Sequence, residues 1–446
     1  MSLPENLIDL PACQKIWRLR FNILRPIESF ISIKHRIAAW FTPELGSLYR
    51  RLITRRNMIE MGMGQPSVLP EVKVTNETHG EVLCRVFTPE NLDPERVVFY
   101  YHGGGWVICS ANKTHSNICQ FLAKKLKAVV VAPEYNLSPE NVFCADLAEY
   151  AGELSWDQYN NNKRVHSRSR ITGERFAFTD CFHATLAYLK KYEISHEQKL
   201  PKICLTGDSA GGNLAICVAL KFVTLPKIET PGIDRFYPYL KILAPIYPVT
   251  QGLNFETPSY VRSNLPNLDK HTMIEFVLAY SLGNFNKEVV EHVKENPTTL
   301  VNYYFDELSS KHAREFPIKR YFNQSFNYTT TSEVFDPILK KAYKQISNRY
   351  FSPLLADDED LKKLLINIPN INFIYCEHDV LKEDSILFID RLKSLKRSMD
   401  CISEITSQEV IGGTHGGISM AAADLRGFAE HYKALNEFVD QLDRVF

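Results

Sequence analysis

Apolar positions in this chain fall into short runs separated by longer stretches of helical period. The first pattern is a pair: Glu71-Val-Lys-Val74 and Glu81–Phe87 flank a polar stretch from Asn76 to Gly80, which predicts a β-hairpin. Further short apolar runs follow at Val97–Tyr101, Ala128–Ala132, Ile203–Leu205, Ile242–Ile246, Ile371–Tyr375 and, less regularly, Ser403–Val410. Such runs suit strands buried on both faces. Between them, Ser116–Lys127, Asp180–Tyr192 and Leu214–Val223 carry apolar residues at helical spacing, and a last stripe runs through Phe428, Leu435, Phe438, Leu442 and Val445. Strand and helix in alternation predict an α/β protein with a doubly wound, mostly parallel sheet.

Two stretches break the alternation. Residues 147–175 hold Asn160-Asn-Asn162, Arg164, Arg168 and Arg170 with few core-type residues, and read as an inserted surface loop. Residues 251–350 are rich in Phe and Tyr and lie between two sheet strands, as an inserted helical cap would. The expected organisation is an N-terminal helical segment over 1–70, a core of 71–250 and 351–446, and the cap. Residues 15–41 mix Trp17, Phe21, Phe30 and Trp40 with Arg18, Arg20, Arg25 and Lys34, too polar to span a bilayer. They read either as amphipathic helices packed over the body of the protein or as an anchor lying in a membrane surface.

Charge and cysteine content narrow the function class. Lys plus Arg and Asp plus Glu both number 52, so the charge balance gives no argument for nucleic acid or an anionic membrane surface, and peripheral membrane association stays open. The ten cysteines form no C-x-x-C pair and no zinc spacing; neither metal nor cofactor is expected.

The chemistry gathers at the ends of the apolar runs. Ile203–Leu205 leads into Gly207-Asp208-Ser209-Ala210-Gly211 and then directly into a helical pattern. G-x-S-x-G between strand and helix is the nucleophile elbow, a turn so tight that side chains two before and two after the Ser would collide. Ser209 is the candidate nucleophile. Val97–Tyr101 runs into His102-Gly103-Gly104-Gly105-Trp106, where glycines let backbone N–H groups approach an oxyanion. The expected donors are the N–H groups of Gly103, Gly104 and Ala210. A phosphate cradle would want a helix start with a Lys-Ser/Thr pair, which Trp106-Val-Ile-Cys109 does not supply. Three candidates for the orienting acid, Glu377, His378 and Asp379, follow Ile371–Tyr375; Asp379 is chosen because it precedes a helix entry with acidic residues in its first turn. His415, in Ile411-Gly-Gly-Thr-His-Gly-Gly417, is the candidate base. The order Ser, Asp, His along the chain is that of α/β-hydrolases.

With these motifs assembled, the chain resembles the hormone-sensitive-lipase group of α/β-hydrolases, most closely its arylacetamide deacetylase and neutral cholesterol ester hydrolase branch. The resemblance rests on His102–Trp106, Gly207–Gly212, Asp379-Val-Leu381 and Thr414-His415-Gly416, with Tyr247-Pro248, Thr257–Tyr260 and Ser352–Asp358 in support. It implies a serine esterase or amidase acting on small ester or amide substrates under a cap, with Ser209 as nucleophile, His415 as base and Asp379 as its partner. Lipid esters and arylacetamides are both open as substrates, and a ligand-binding relative that does no catalysis is the competing class. The branch usually has Tyr-Arg-Leu-Ala-Pro-Glu where this chain has Tyr135-Asn-Leu-Ser-Pro-Glu140, so one structural contact of the Arg is in question. The branch also usually carries an N-terminal membrane anchor facing the lumen of the endoplasmic reticulum. None is visible here, which leaves endoplasmic reticulum and cytoplasm both open.

Overall fold

A computed structural model describes residues 47–62, 66, 68–151, 175–225, 236–262, 268–283, 287–310, 335–422 and 428–446. Most of the N-terminal segment, most of the 147–175 insertion and parts of 251–350 lie outside these residues.

Eight strands form one sheet: β1 (Val72–His79), β2 (Val82–Pro89), β3 (Arg96–Tyr101), β4 (Val129–Pro133), β5 (Lys202–Asp208), β6 (Leu240–Ile246), β7 (Asn370–His378) and β8 (Glu404–Thr414). Their order across the sheet is β1-β2-β4-β3-β5-β6-β7-β8. β2 pairs antiparallel with both neighbours, and every other pairing is parallel. This is the doubly wound, mostly parallel α/β arrangement expected. The predicted hairpin is present, but its turn is only Gly80-Glu81: the polar run Asn76–Thr78 stays in β1, paired with Leu83–Arg85. β1 is an edge strand with one face open, so alternate positions tolerate polar side chains.

The helices are α1 (Ser47–Gly62), α2 (Ser116–Leu126), α3 (Ala145–Tyr150), α4 (Ala177–Ser195), α5 (Ala210–Thr224), α6 (Pro258–Arg262), α7 (Lys270–Leu282), α8 (Lys287–Glu295), α9 (Thr299–Ser310), α10 (Asp336–Ile346), α11 (Asp358–Asn367), α12 (Lys382–Lys396), α13 (Gly417–Ala421) and α14 (Ala429–Val445). Because side chains alternate along a strand, β3 sends Val97, Phe99 and Tyr101 to one face and Val98 and Tyr100 to the other. The first face packs under α4, α5, α11 and α12; the second packs under α2 and the terminal helix α14, through Leu122, Leu435, Phe438 and Leu442. Helices α6 to α10 occupy the connection from β6 to β7. Among them α7 lies on the glycine loop after β3, where Trp106 stacks on Tyr280 with ring centroids 4.7 Å apart.

Parallel strands put their carboxyl ends on one edge, and that edge collects the chemistry. His102 follows β3, Ser209 follows β5, Tyr247 follows β6, Asp379 follows β7 and His415 follows β8. A register shift between Cys376 and His378 opens the β7–β8 pairing just before Asp379 and His415.

Candidate active site

Ser209 sits at the sharp junction of β5 and α5 with φ 59° and ψ −119°. An L-residue in that region carries strain of about 1–3 kcal/mol, held here by the strand on one side and the helix on the other. The glycines around it are required by contact. A Cβ on Gly211 would lie 1.9 Å from the Tyr101 carbonyl oxygen, and one on Gly207 would lie 2.3 Å from the same atom. The turn is fixed from outside as well: the Ser209 N–H donates to the Ile246 carbonyl at 2.9 Å, and the Asn213 side-chain amide donates to the Val249 and Phe351 carbonyls at 2.9 and 2.8 Å.

The three candidate catalytic side chains meet. His415 Nε2 is 2.9 Å from Ser209 Oγ, and His415 Nδ1 is 2.8 Å from Asp379 Oδ2. Asp379 is 2 % exposed, and its second oxygen accepts the Leu381 N–H at 2.8 Å. One oxygen held by backbone leaves the other facing the imidazole, which sets the proton on Nδ1 and turns the Nε2 lone pair to the serine. Of the two other candidates at this position, Glu377 Oε2 accepts the Gly412 N–H at 2.8 Å and so braces the loop carrying His415, while His378 is exposed. That loop is braced again from α14, where His431 Nε2 accepts the Thr414 N–H at 2.9 Å. The Tyr247 ring lies 4.8 Å from the His415 ring, with its hydroxyl 3.2 Å from Ser419 Oγ.

The glycine loop requires one correction. Gly103, expected as an oxyanion donor, gives its N–H to Asp208 Oδ1 at 2.9 Å, so that donor is engaged within the protein. Gly104 (φ 116°) and Gly105 (φ 61°) turn the chain so that the Gly104 carbonyl accepts the N–H groups of Val107 and Ile108. Among the described residues, no acceptor is taken by the N–H of Gly104, Gly105 or Ala210.

Asp208 itself, an unassigned position within G-x-S-x-G, proves to be a hub. It is 3 % exposed and also accepts from Tyr100 Oη at 2.7 Å and from His115 Nε2 at 3.2 Å. Burial pushes its carboxyl up, but the His115 charge and the hydrogen bonds from His115 and Tyr100 outweigh burial and hold it at about 2. Sequence reading missed this hub because its partners come from three separate elements. The loop that carries Asn136 is tied down by other residues. Asp180 accepts the Asn136 N–H at 2.8 Å and Arg175 Nε at 2.9 Å, while Arg56 of α1 forks onto Glu140 at 2.7 and 2.8 Å and donates to the Val107 carbonyl at 2.7 Å. Arginines from elsewhere hold the Tyr135–Glu140 loop.

Comparison with known proteins gives the fold and the family. A family model for the alpha/beta hydrolase fold matches residues 98–302. Neutral cholesterol ester hydrolase 1 of Rattus norvegicus is 31% identical over 356 residues, spanning 78% of this chain and 76% of the relative. Arylacetamide deacetylase of Oryctolagus cuniculus is 27% identical over 385 residues, spanning 84% of this chain and 81% of the relative. Among solved structures, a thermostable esterase from Pseudomonas putida shares the fold with a TM-score of 0.54 at 19% identity, over 88% of this chain and 90% of that one. The chain belongs to the α/β-hydrolase family, as a carboxylesterase-like serine hydrolase of the hormone-sensitive-lipase-like group that includes neutral cholesterol ester hydrolase and arylacetamide deacetylase.

Proposed function

We propose that the protein hydrolyses apolar carboxylic esters or arylacetamides by acyl transfer through Ser209. The observation that carries this reading is the chain of contacts from Ser209 Oγ to His415 Nε2 at 2.9 Å and from His415 Nδ1 to Asp379 Oδ2 at 2.8 Å. His415 takes the Ser209 proton as the oxygen attacks the substrate carbonyl carbon. The oxyanion that forms is met by the N–H groups of Gly104, Gly105 and Ala210, the last at the positive end of α5. Gly105 replaces Gly103 in this set because the Gly103 N–H is engaged by Asp208. As the intermediate collapses, the imidazolium gives its proton to the departing alcohol or amine. Water, activated by the same imidazole, then hydrolyses the acyl-enzyme and regenerates Ser209. The competing reading, a ligand-binding relative without catalysis, loses ground because the base stands within hydrogen-bond reach of the nucleophile.

The experiment is a p-nitrophenyl ester series from acetate to palmitate, with an arylacetamide alongside. A short-chain optimum with amide turnover supports a deacetylase-like pocket. A long-chain optimum supports lipid esters and favours the membrane-surface role for residues 15–41. Absence of turnover on every substrate refutes hydrolysis.

A further inference from the structure

Behind the nucleophile lies a buried charged cluster to which the proposed mechanism gives no part. We propose that the His115–Asp208 pair is the positioning element of the oxyanion loop, Asp208 fixing the Gly103 N–H and, through it, the placement of Gly104 and Gly105 beside Ser209. This rests on the serine hydrolase reading above.

The partners of the two ring nitrogens accord with a doubly protonated His115. Thr114 Oγ1 donates its one proton to the Ser110 carbonyl at 2.7 Å, so it faces His115 Nδ1 at 2.7 Å as an acceptor. Nδ1 must therefore carry a proton. Nε2 points at both oxygens of Asp208, at 3.1 and 3.2 Å, and carries one too. The ring is an imidazolium. His115 is 5 % exposed and Asp208 3 %, so the pair is drawn together in low dielectric, and either charge alone would be costly.

What the pair holds is the loop. Asp208 Oδ1 collects the Tyr100 hydroxyl and the Gly103 N–H, and a Cβ on Gly103 would lie 2.7 Å from Oδ2. The loop is thus pressed onto the carboxylate one residue before the two glycines proposed as donors. Asp208 is also the residue before Ser209, so a single carboxylate ties nucleophile and oxyanion loop to a common anchor. A donor displaced by a fraction of an ångström loses much of its effect, because the gain depends on aim at the developing charge.

The titratable groups facing this imidazolium leave its charge in place. Burial, with the His115 charge beside it, pushes His102, whose ring lies 5.6 Å away, down to about 3, so it is neutral. Burial keeps the Tyr100 hydroxyl and the Cys119 thiol protonated, and Glu134, capping the Ala111 and Asn112 N–H groups, adds a favourable negative field. Burial pushes His115 down, but Asp208 outweighs it and the balance is upward. A raised histidine keeps its charge below the raised value and loses it as pH climbs through it. Turnover should therefore carry an alkaline limb.

The test is kcat and KM for p-nitrophenyl butyrate from pH 6 to 10.5, expressed per active site titrated with a fluorophosphonate. It compares wild type, His115→Gln, Asp208→Asn and Tyr100→Phe. The expected result is a kcat per titrated site lowered roughly ten- to a hundredfold in the first two variants, with KM within about twofold and no alkaline limb in His115→Gln. Tyr100→Phe keeps the ring, guards against variants that do not fold, and is expected to lose severalfold in kcat. Variants that fold, titrate and keep wild-type kcat per site would overturn the proposal, as would an alkaline limb that persists unchanged in His115→Gln. A wild type that neither titrates nor turns over would overturn the hydrolase reading, and this proposal with it.

Discussion

Asp379→Asn isolates the link between the acid and the base. Asn is nearly isosteric, so its side-chain oxygen can keep the Leu381 N–H bond, seen at 2.8 Å in the native protein. That choice turns the amide NH2 toward His415 Nδ1, a donor where the native carboxylate accepts at 2.8 Å. Nδ1 must then become the acceptor and the ring proton moves to Nε2. From there it donates to Ser209 Oγ instead of taking the serine proton. Loss of the right tautomer in a serine triad is worth about 10⁴ in kcat, or roughly 5.5 kcal/mol of barrier. KM should change little, because the substitution acts on the tautomer of His415 and Asp379 is buried behind it. The assay is p-nitrophenyl butyrate hydrolysis on protein whose melting temperature matches wild type within a few degrees. Glu377→Gln serves as the contrast: Gln can still accept the Gly412 N–H, so less than about a tenfold loss is expected. An Asp379→Asn enzyme within tenfold of wild type, or a Glu377→Gln enzyme that is the dead one, would refute the assignment of the acid.

Three further outcomes follow from contacts already described. Gly211→Ala places a Cβ 1.9 Å from the Tyr101 carbonyl oxygen, a backbone clash with no flexible neighbour to yield. The cost should exceed about 4 kcal/mol and appear as loss of soluble folded protein. Arg56→Ala removes the clamp from α1 onto Glu140 and the Val107 carbonyl; with partly exposed partners, the loss in chemical-denaturation stability should be about 1–3 kcal/mol. Burial pushes His183 down to about 3, so between that value and 6.5 the unfolded chain binds a proton the native state refuses. Stability conferred by the neutral ring is thus intact above 6.5 and is lost as pH falls, by about 1.4 kcal/mol per unit. Urea titrations of His183→Leu between pH 6.5 and 4.5 should show a pH slope shallower than wild type by about one proton, and an unchanged slope would contradict the burial argument.

Much of the fold could be read from the sequence because its core strands are apolar on both faces and end in glycine-rich chemistry. Val97–Tyr101 running into His102-Gly103-Gly104-Gly105 is strand, loop and candidate site in nine residues. What escaped was decided by tertiary context. Asn76–Thr78 look like a turn but form a strand, because β1 is an edge whose open face accepts polar side chains. Gly103 looks as able to donate as its neighbours, and only the position of Asp208 shows its N–H engaged. The partner of that carboxylate, His115, lies 93 residues away in sequence, and no local pattern connects the two. Arg175 on Asp180 and Arg56 on Glu140 hold the loop that carries Asn136, and neither is adjacent to it in sequence. A buried charge can be paired from any direction in space, so sequence position alone does not identify its partner.

The most direct measurement is the site of covalent labelling by a fluorophosphonate, mapped by peptide mass spectrometry in wild type and Ser209→Ala. The expected result is stoichiometric modification of Ser209, concurrent loss of p-nitrophenyl ester hydrolysis, and neither labelling nor turnover in a normally folded Ser209→Ala protein. Turnover retained by Ser209→Ala, or stoichiometric labelling at another residue, would contradict Ser209 as the nucleophile.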